Sequence, residues 1–105
     1  MITLHIYLRV TPGRANDLMT TYRTLYVSAI SKQRGFHSAQ ILRTYDAVRT
    51  AEIDGRGDWD HEIDITFDSE ENRRLWVASP EHVEVWPRIA ALCDQITWQG
   101  FDVLG

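Results

Sequence analysis

Residues 2–10, Ile2-Thr3-Leu4-His5-Ile6-Tyr7-Leu8-Arg9-Val10, alternate strictly between aliphatic and polar or amphipathic side chains. This is the period of a β-strand with one buried face. Leu4, Ile6, Leu8 and Val10 are expected to face a core, and His5, Tyr7 and Arg9 to face away from it. The punctuation that follows, Thr11-Pro12-Gly13, offers a helix cap in Thr11 and a proline suited to a first helical turn. Ala15, Leu18, Met19, Tyr22, Leu25, Tyr26, Ala29 and Ile30 then recur at spacings of three and four. They predict a long amphipathic helix, with Gly35 as its stop.

Phe36 to about Ala47 reads as a second strand with Ile41, Leu42 and Tyr45 as apolar positions. Val48 to Trp59 contains Asp54-Gly55-Arg56-Gly57-Asp58 and reads as a long hairpin connection. His61 to Phe67 alternates again, with Ile63, Ile65 and Phe67 on one face and Glu62, Asp64 and Thr66 on the other. Asp68 with Glu71 forms a capping box for a helix that buries Leu75 and Trp76. Ser79-Pro80-Glu81 starts a further helix with the stripe Val83, Trp86, Ile89, Ala90 and Cys93. Pro87 is expected to kink or restart it. Ile96 to Leu104 is the last strand, with Gly100 as an expected bulge.

The order strand, helix, strand, strand, helix pair, strand predicts an α+β fold of the ferredoxin-like kind. It is a two-layer plait, an antiparallel four-stranded sheet with helices on one face, spanning residues 1–105 as one domain. In that topology the first and third strands are antiparallel neighbours. His5, Tyr7 and Arg9 then lie beside Glu62, Asp64 and Thr66, where opposite charges can pair across strands.

Length and composition exclude other classes. With 105 residues, 44% hydrophobic and 25% charged, the chain has the make-up of a single globular domain. Its 11 basic and 15 acidic residues give a net charge of −4; the basic ones are scattered, so no nucleic acid partner is expected. Cys93 is the one cysteine, which excludes a disulfide framework and fits a reducing compartment. No apolar run approaches a membrane span and the N-terminus lacks a signal-peptide pattern, so no membrane partner and a cytoplasmic location are expected.

Four stretches together carry a family resemblance. Val10-Thr11-Pro12-Gly13 leads into the long helix, Arg34-Gly35-Phe36 opens strand two, and Phe67-Asp68-Ser69-Glu70-Glu71 ends strand three. With Trp76-Val77-Ala78-Ser79-Pro80-Glu81-His82, they resemble the antibiotic biosynthesis monooxygenase family over nearly the whole chain. The resemblance implies a dimeric α+β barrel, joined through the faces not covered by helices, with a substrate pocket between sheet and helices in each subunit. It implies cofactor-free oxygenation of polyketide anthrones, haem degradation, or cyclase chemistry in related barrels. Positions that carry an Asn and a Trp in strand three of the anthrone oxygenases hold Ile63 and Phe67 here, their helix Tyr falls at Arg73, and a strand-two His falls at Leu42. The Asn, Trp and His of haem-degrading members fall at Ile6, Phe67 and Trp86.

The catalytic candidates are Tyr26, His82, Tyr22 and His61. His82 is an imidazole near a helix start; Tyr22 and Tyr26 lie four apart on a buried stripe; His61 opens strand three in phase with Ile63. Leu8, Ile63, Phe67, Trp76 and Trp86 are the expected substrate-binding wall, between the first helix and the sheet. Each has a plainer reading: His82 as a surface residue, the tyrosines and tryptophans as core. Asp60 and Glu62 flank His61 but are expected to point to the opposite face. The histidines at 5, 37, 61 and 82 show no two-ligand spacing, so neither a metal site nor a cofactor is expected. The reading is a homodimeric tailoring enzyme of secondary metabolism, oxygenating an enolisable aromatic or polyketide-like small molecule. Cyclisation or isomerisation of a similar substrate, and a non-catalytic ligand-binding or dimerisation module, are the open alternatives.

Overall fold

In the computed structural model, which describes residues 1–105, the alternating N-terminal stretch is β1 (Ile2–Val10), hydrogen-bonded along both edges. The first helix follows as α1 (Ala15–Thr21), a π-helical segment (Tyr22–Tyr26) and α2 (Val27–Ile30) without a break. Then come β2 (Phe36–Arg43), α3 (Ala47–Glu52), β3 (His61–Phe67), α4 (Glu70–Ala78), α5 (Pro80–Ala90) and β4 (Cys93–Asp102). The strands make one antiparallel sheet in the order β2-β3-β1-β4, the expected α+β plait. No helix is long and apolar enough to cross a membrane.

Register places the core. Ile6 pairs with Ile63 and Leu4 with Ile65, so aliphatic side chains of both strands share one face. Ile6, Leu8, Ile63, Ile65 and Phe67 form a single cluster with Leu18, Tyr22, Tyr26 and Ile30 of the first helix and with Trp76, Val85 and Ile89 of α4 and α5. Each such side chain contributes about 1.5–3 kcal/mol relative to exposure. The π segment serves this packing. Residues four apart drift around an α-helix by roughly 40° per step, and a wider turn removes part of that drift. Leu18, Tyr22, Tyr26 and Ile30, each four apart, are consequently all buried in the core cluster.

Several local expectations are corrected. Thr11 and Pro12 precede the helix rather than start it: Gly13 turns the chain with a φ of +85° and the helix begins at Ala15. The Thr11 hydroxyl instead donates to Asp94 (2.6 Å). Asp94 is the extra residue where Arg9 and Val10 face Gln95 and Cys93, so the bulge lies there and Gly100 pairs regularly with Leu4. The hairpin connection holds α3, whose Ala47, Val48 and Ala51 are exposed; it has no apolar stripe to betray it, only the Asp46 cap that accepts the Arg49 N–H (2.9 Å). Ser69, not Asp68, caps α4, accepting the Asn72 N–H (3.2 Å), and Leu75 is exposed. In α5 the buried line is Val85 and Ile89 with His82 and Trp86 beside it, and Val83 is 66% exposed. The helix runs on through Pro87 because Val83 and Pro87 both face solvent, where water can take the carbonyl that proline leaves unpaired.

Gly35 joins the two layers. Its φ is +77°, its carbonyl accepts the Asp68 N–H (2.9 Å), and a Cβ there would run into the Asp68 carboxylate and the Asn72 amide. Gly35→Ala is expected to destabilise the protein by about 1–3 kcal/mol, measured as a lowered midpoint in urea with an unchanged slope.

Candidate functional site

A cavity of about 590 Å³ opens between α4 and α5 on one side and β1 and β4 on the other. Ile2, Leu4 and Ile6 of β1 form its floor, with Trp98 and Gly100 of β4 beside them. Tyr26, Trp76, His82 and Trp86 form its helical wall. Ser79 fixes the start of α5 by accepting the His82 N–H (3.2 Å), and Pro80 occupies the first turn. That phase turns His82, half-buried, between two indoles. Trp76 meets its ring edge-on at 4.9 Å, and Trp86 lies nearly parallel at 6.1 Å. Trp98 continues the aromatic row 6.0 Å beyond Trp86. At one side Arg73, held to Glu70 by two hydrogen bonds (2.9 and 2.6 Å), closes the wall with a neutralised pair.

Burial sets the chemistry of these groups. Desolvation lowers the His82 pKa below the ordinary imidazole value, so the ring is neutral at pH 7 and can accept a proton. Tyr26 is 1% exposed and desolvation raises its phenol strongly, so it stays protonated, a donor and not a base. The Cys93 thiol is pushed up to about 11 by burial and by Asp60 and Asp94, and is inert.

The structure brings together Tyr26, His82, Trp76 and Trp86 of the sequence-derived set. Leu8, Ile63 and Phe67 do not line the cavity; they are fully buried in the core cluster shared with the first helix. Tyr22 stacks on Tyr26 at 5.6 Å on the side away from the cavity. His61 sits near the other end of the sheet, in grooves beside α1 and α3. Its Nδ1 lies 2.7 Å from Asp60 Oδ1, contrary to the strand-neighbour expectation. Asp60 precedes the first residue of β3, so strand alternation does not govern it, and its carboxylate also accepts the Val10 N–H at 3.1 Å. Sequence reasoning gave β4 no role at the site, although Trp98 at helical-layer phase with Ile6 supplies a wall.

The opposite, open face carries a polar group that ligand spacing along the chain could not show, because it is assembled across strands. His5 pairs with Asp64 and lies diagonal to Glu62, with Nδ1 3.2 Å from Glu62 Oε2 and 3.8 Å from Asp64 Oδ1. Arg9 does not join these carboxylates; its guanidinium donates to the Asp58 carbonyl (2.9 Å) and lies over Trp59 at 5.1 Å. Desolvation, then the adjacent Asp64, pushes the Glu62 carboxyl up to about 8.

No protein-family model matches the chain, and no curated protein sequence does. Solved structures do. SnoaB, a cofactor-independent oxygenase from Streptomyces nogalater, superposes with a TM-score of 0.78 at 15% identity, over 99% of this chain and 93% of that one. The fold is ferredoxin-like. A proposed antibiotic biosynthesis monooxygenase from Nitrosomonas europaea gives 0.77 at 10% identity over the whole of both chains. A dimeric ferredoxin-like protein of unknown function from Jannaschia sp. CCS1 gives 0.77 at 14% identity, over 97% of this chain and 98% of that one. At these identities the likeness is one of fold.

The raised Glu62 pKa makes a stability prediction. Between the unfolded carboxyl value of about 4.5 and the folded value of about 8 the native state binds the extra proton, so stability falls as pH rises through that window. In chelator-treated protein, melting curves from pH 5 to 8 are expected to show this decline, and Glu62→Gln is expected to flatten it.

Proposed function

We propose that the chain is a homodimeric, cofactor-independent oxygenase that converts an enolisable, flat aromatic or polyketide-like methylene compound to the ketone. The observation that carries this reading is the half-buried His82 imidazole, held between Trp76 and Trp86 on the wall of a cavity that Trp98 also lines, where desolvation lowers its pKa. The indoles cover the faces of a flat ligand, and the low polarity around His82 keeps it a base at neutral pH. In the proposed reaction His82 takes a proton from the acidic methylene, and the resulting enolate gives its electrons to molecular oxygen. The hydroperoxide that forms on that carbon loses water. One oxygen atom ends in the new carbonyl and the other in water, and the methylene supplies all four electrons, so the balance needs no metal, flavin or external reductant. The Tyr26 phenol, kept protonated, is the proposed donor toward the enolate oxygen.

The dimer reading rests on the dimeric neighbour and on the exposed aromatic and aliphatic side chains of β4 and of Val103 just after it. Trp98 is 52% exposed, Phe101 39% and Val103 40%. Light scattering at micromolar concentration is expected to give twice the chain mass of 12.2 kDa; a monomer would contradict it.

Activity is tested by oxygen uptake with a hydroxylated anthrone. His82→Ala is expected to lower turnover about 10²–10⁴-fold, with Tyr26→Phe also impaired and the far-ultraviolet spectra unchanged. The rate of the wild type is expected to fall with acid below the ordinary imidazole pKa, since protonation of His82 removes the base. Turnover without oxygen consumption would assign the enolate to cyclisation or isomerisation instead. A shifted Soret band on adding haemin would contradict the cofactor-free reading.

A further inference from the structure

The structure assigns a divalent transition-metal site, of the zinc type, to His5, Glu62 and Asp64 on the open face of the sheet. It lies on the other side of the sheet from His82, because neighbouring residues of one strand point to opposite faces. The imidazole Nδ1, one Glu62 oxygen and one Asp64 oxygen all lie within 4.8 Å of one another. A zinc ion with ligands at 2.0–2.2 Å in tetrahedral array sets those ligands about 3.3–3.6 Å apart, and the His5–Glu62 and His5–Asp64 separations of 3.2 and 3.8 Å bracket that range. Small side-chain rotations close the remainder.

Two further observations point to a cation. Asp64 Oδ1 is shut off from solvent and has no hydrogen-bond partner, on a side chain only 12% exposed. An orphaned carboxylate oxygen at that depth is costly unless a positive charge meets it. No lysine or arginine meets it: the contact to that oxygen is the His5 Nδ1 at 3.8 Å, beyond hydrogen-bond distance, and the nearby Arg9 is engaged at Asp58 and Trp59. The other Asp64 oxygen is held by the Gln40 amide at 3.4 Å, which orients the carboxylate as an outer partner of a metal ligand does. Phe101 packs beside the His5 ring with centroids 4.7 Å apart. One nitrogen and two oxygens suit zinc, manganese or cobalt in the divalent state better than magnesium, which demands octahedral oxygen coordination. Water completes the coordination. The three ligands come from one chain.

Equilibrium dialysis of chelator-stripped protein against Zn²⁺, Co²⁺ and Mg²⁺ tests the site. One Zn²⁺ or Co²⁺ per chain is expected, with visible absorption bands for bound Co²⁺ and a raised melting temperature. Asp64→Asn and His5→Gln are each expected to weaken binding by at least about 10–100-fold, the factor that loss of even an outer partner costs. Asp64→Asn keeps the side-chain shape, and Glu62→Gln is the second variant should it fail to fold. Absence of bound Zn²⁺, equal retention of Mg²⁺, or unchanged affinity in folded variants would overturn the assignment. None of these outcomes touches the His82 reaction, which is read by oxygen uptake.

Discussion

Strand β1 has to satisfy two environments at once, and the rest of the molecule is arranged around that requirement. Ile6 and Leu8 lie under the helices while His5 and Tyr7 face outward, and β3 repeats the division opposite them. A one-residue slip between β1 and its neighbours would exchange the two sets. Exposing Ile6, Leu8, Ile63 and Ile65 would cost on the order of 6–12 kcal/mol, comparable with the whole stability of a domain this size, about 5–15 kcal/mol. The register is therefore fixed by the hydrophobic set. Its two faces then become two chemical settings: an aliphatic floor under an aromatic cavity, and a cross-strand polar cluster behind it.

Much of the architecture was legible because it rests on periodicity. The strict alternation of residues 2–10 and 61–67 and the stripe from Ala15 to Ile30 fix three elements and, through them, the topology. What escaped lacks periodic signal. α3 is a short, exposed helix held by the Asp46 cap, in a stretch whose glycines read as a turn. The π segment is a response to tertiary packing, drawn by the four-residue spacing of Leu18, Tyr22, Tyr26 and Ile30, and that spacing also fits a plain helix. The phase of α5 was misread because Trp86 and Ile89 belong to two possible stripes. The cap at Ser79 selects the one that turns His82 inward and leaves Val83 in solvent.

The candidate site was half legible for a related reason. Tyr26, Trp76, Trp86 and His82 were named from residue type and spacing, but the cavity they share was placed against the wrong helix. Leu8, Ile63 and Phe67 are so fully enclosed in the core that they have no free surface. The opening arises where α4 and α5 stand off from the β1–β4 side of the sheet, and Trp98 helps to wall it. The facing of β4 depends on its register with β1, which the sequence of an irregular last strand does not display. The His5, Glu62 and Asp64 cluster was hidden in the same way, since His5 lies 57 and 59 positions before the two carboxylates in the chain.

The account turns on the aromatic cavity as the binding place and on His82 as its neutral base. Both can be read together by nuclear magnetic resonance of protein with labelled histidine and tryptophan, titrated with acid in the absence and presence of a flat aromatic enol. The account predicts that the His82 ring titrates below the ordinary imidazole value, and that the enol shifts the signals of His82, Trp76, Trp86 and Trp98 while leaving His61 unmoved. Titration of His82 at or above the ordinary value, or ligand-induced shifts centred on His61 and Trp59, would contradict it.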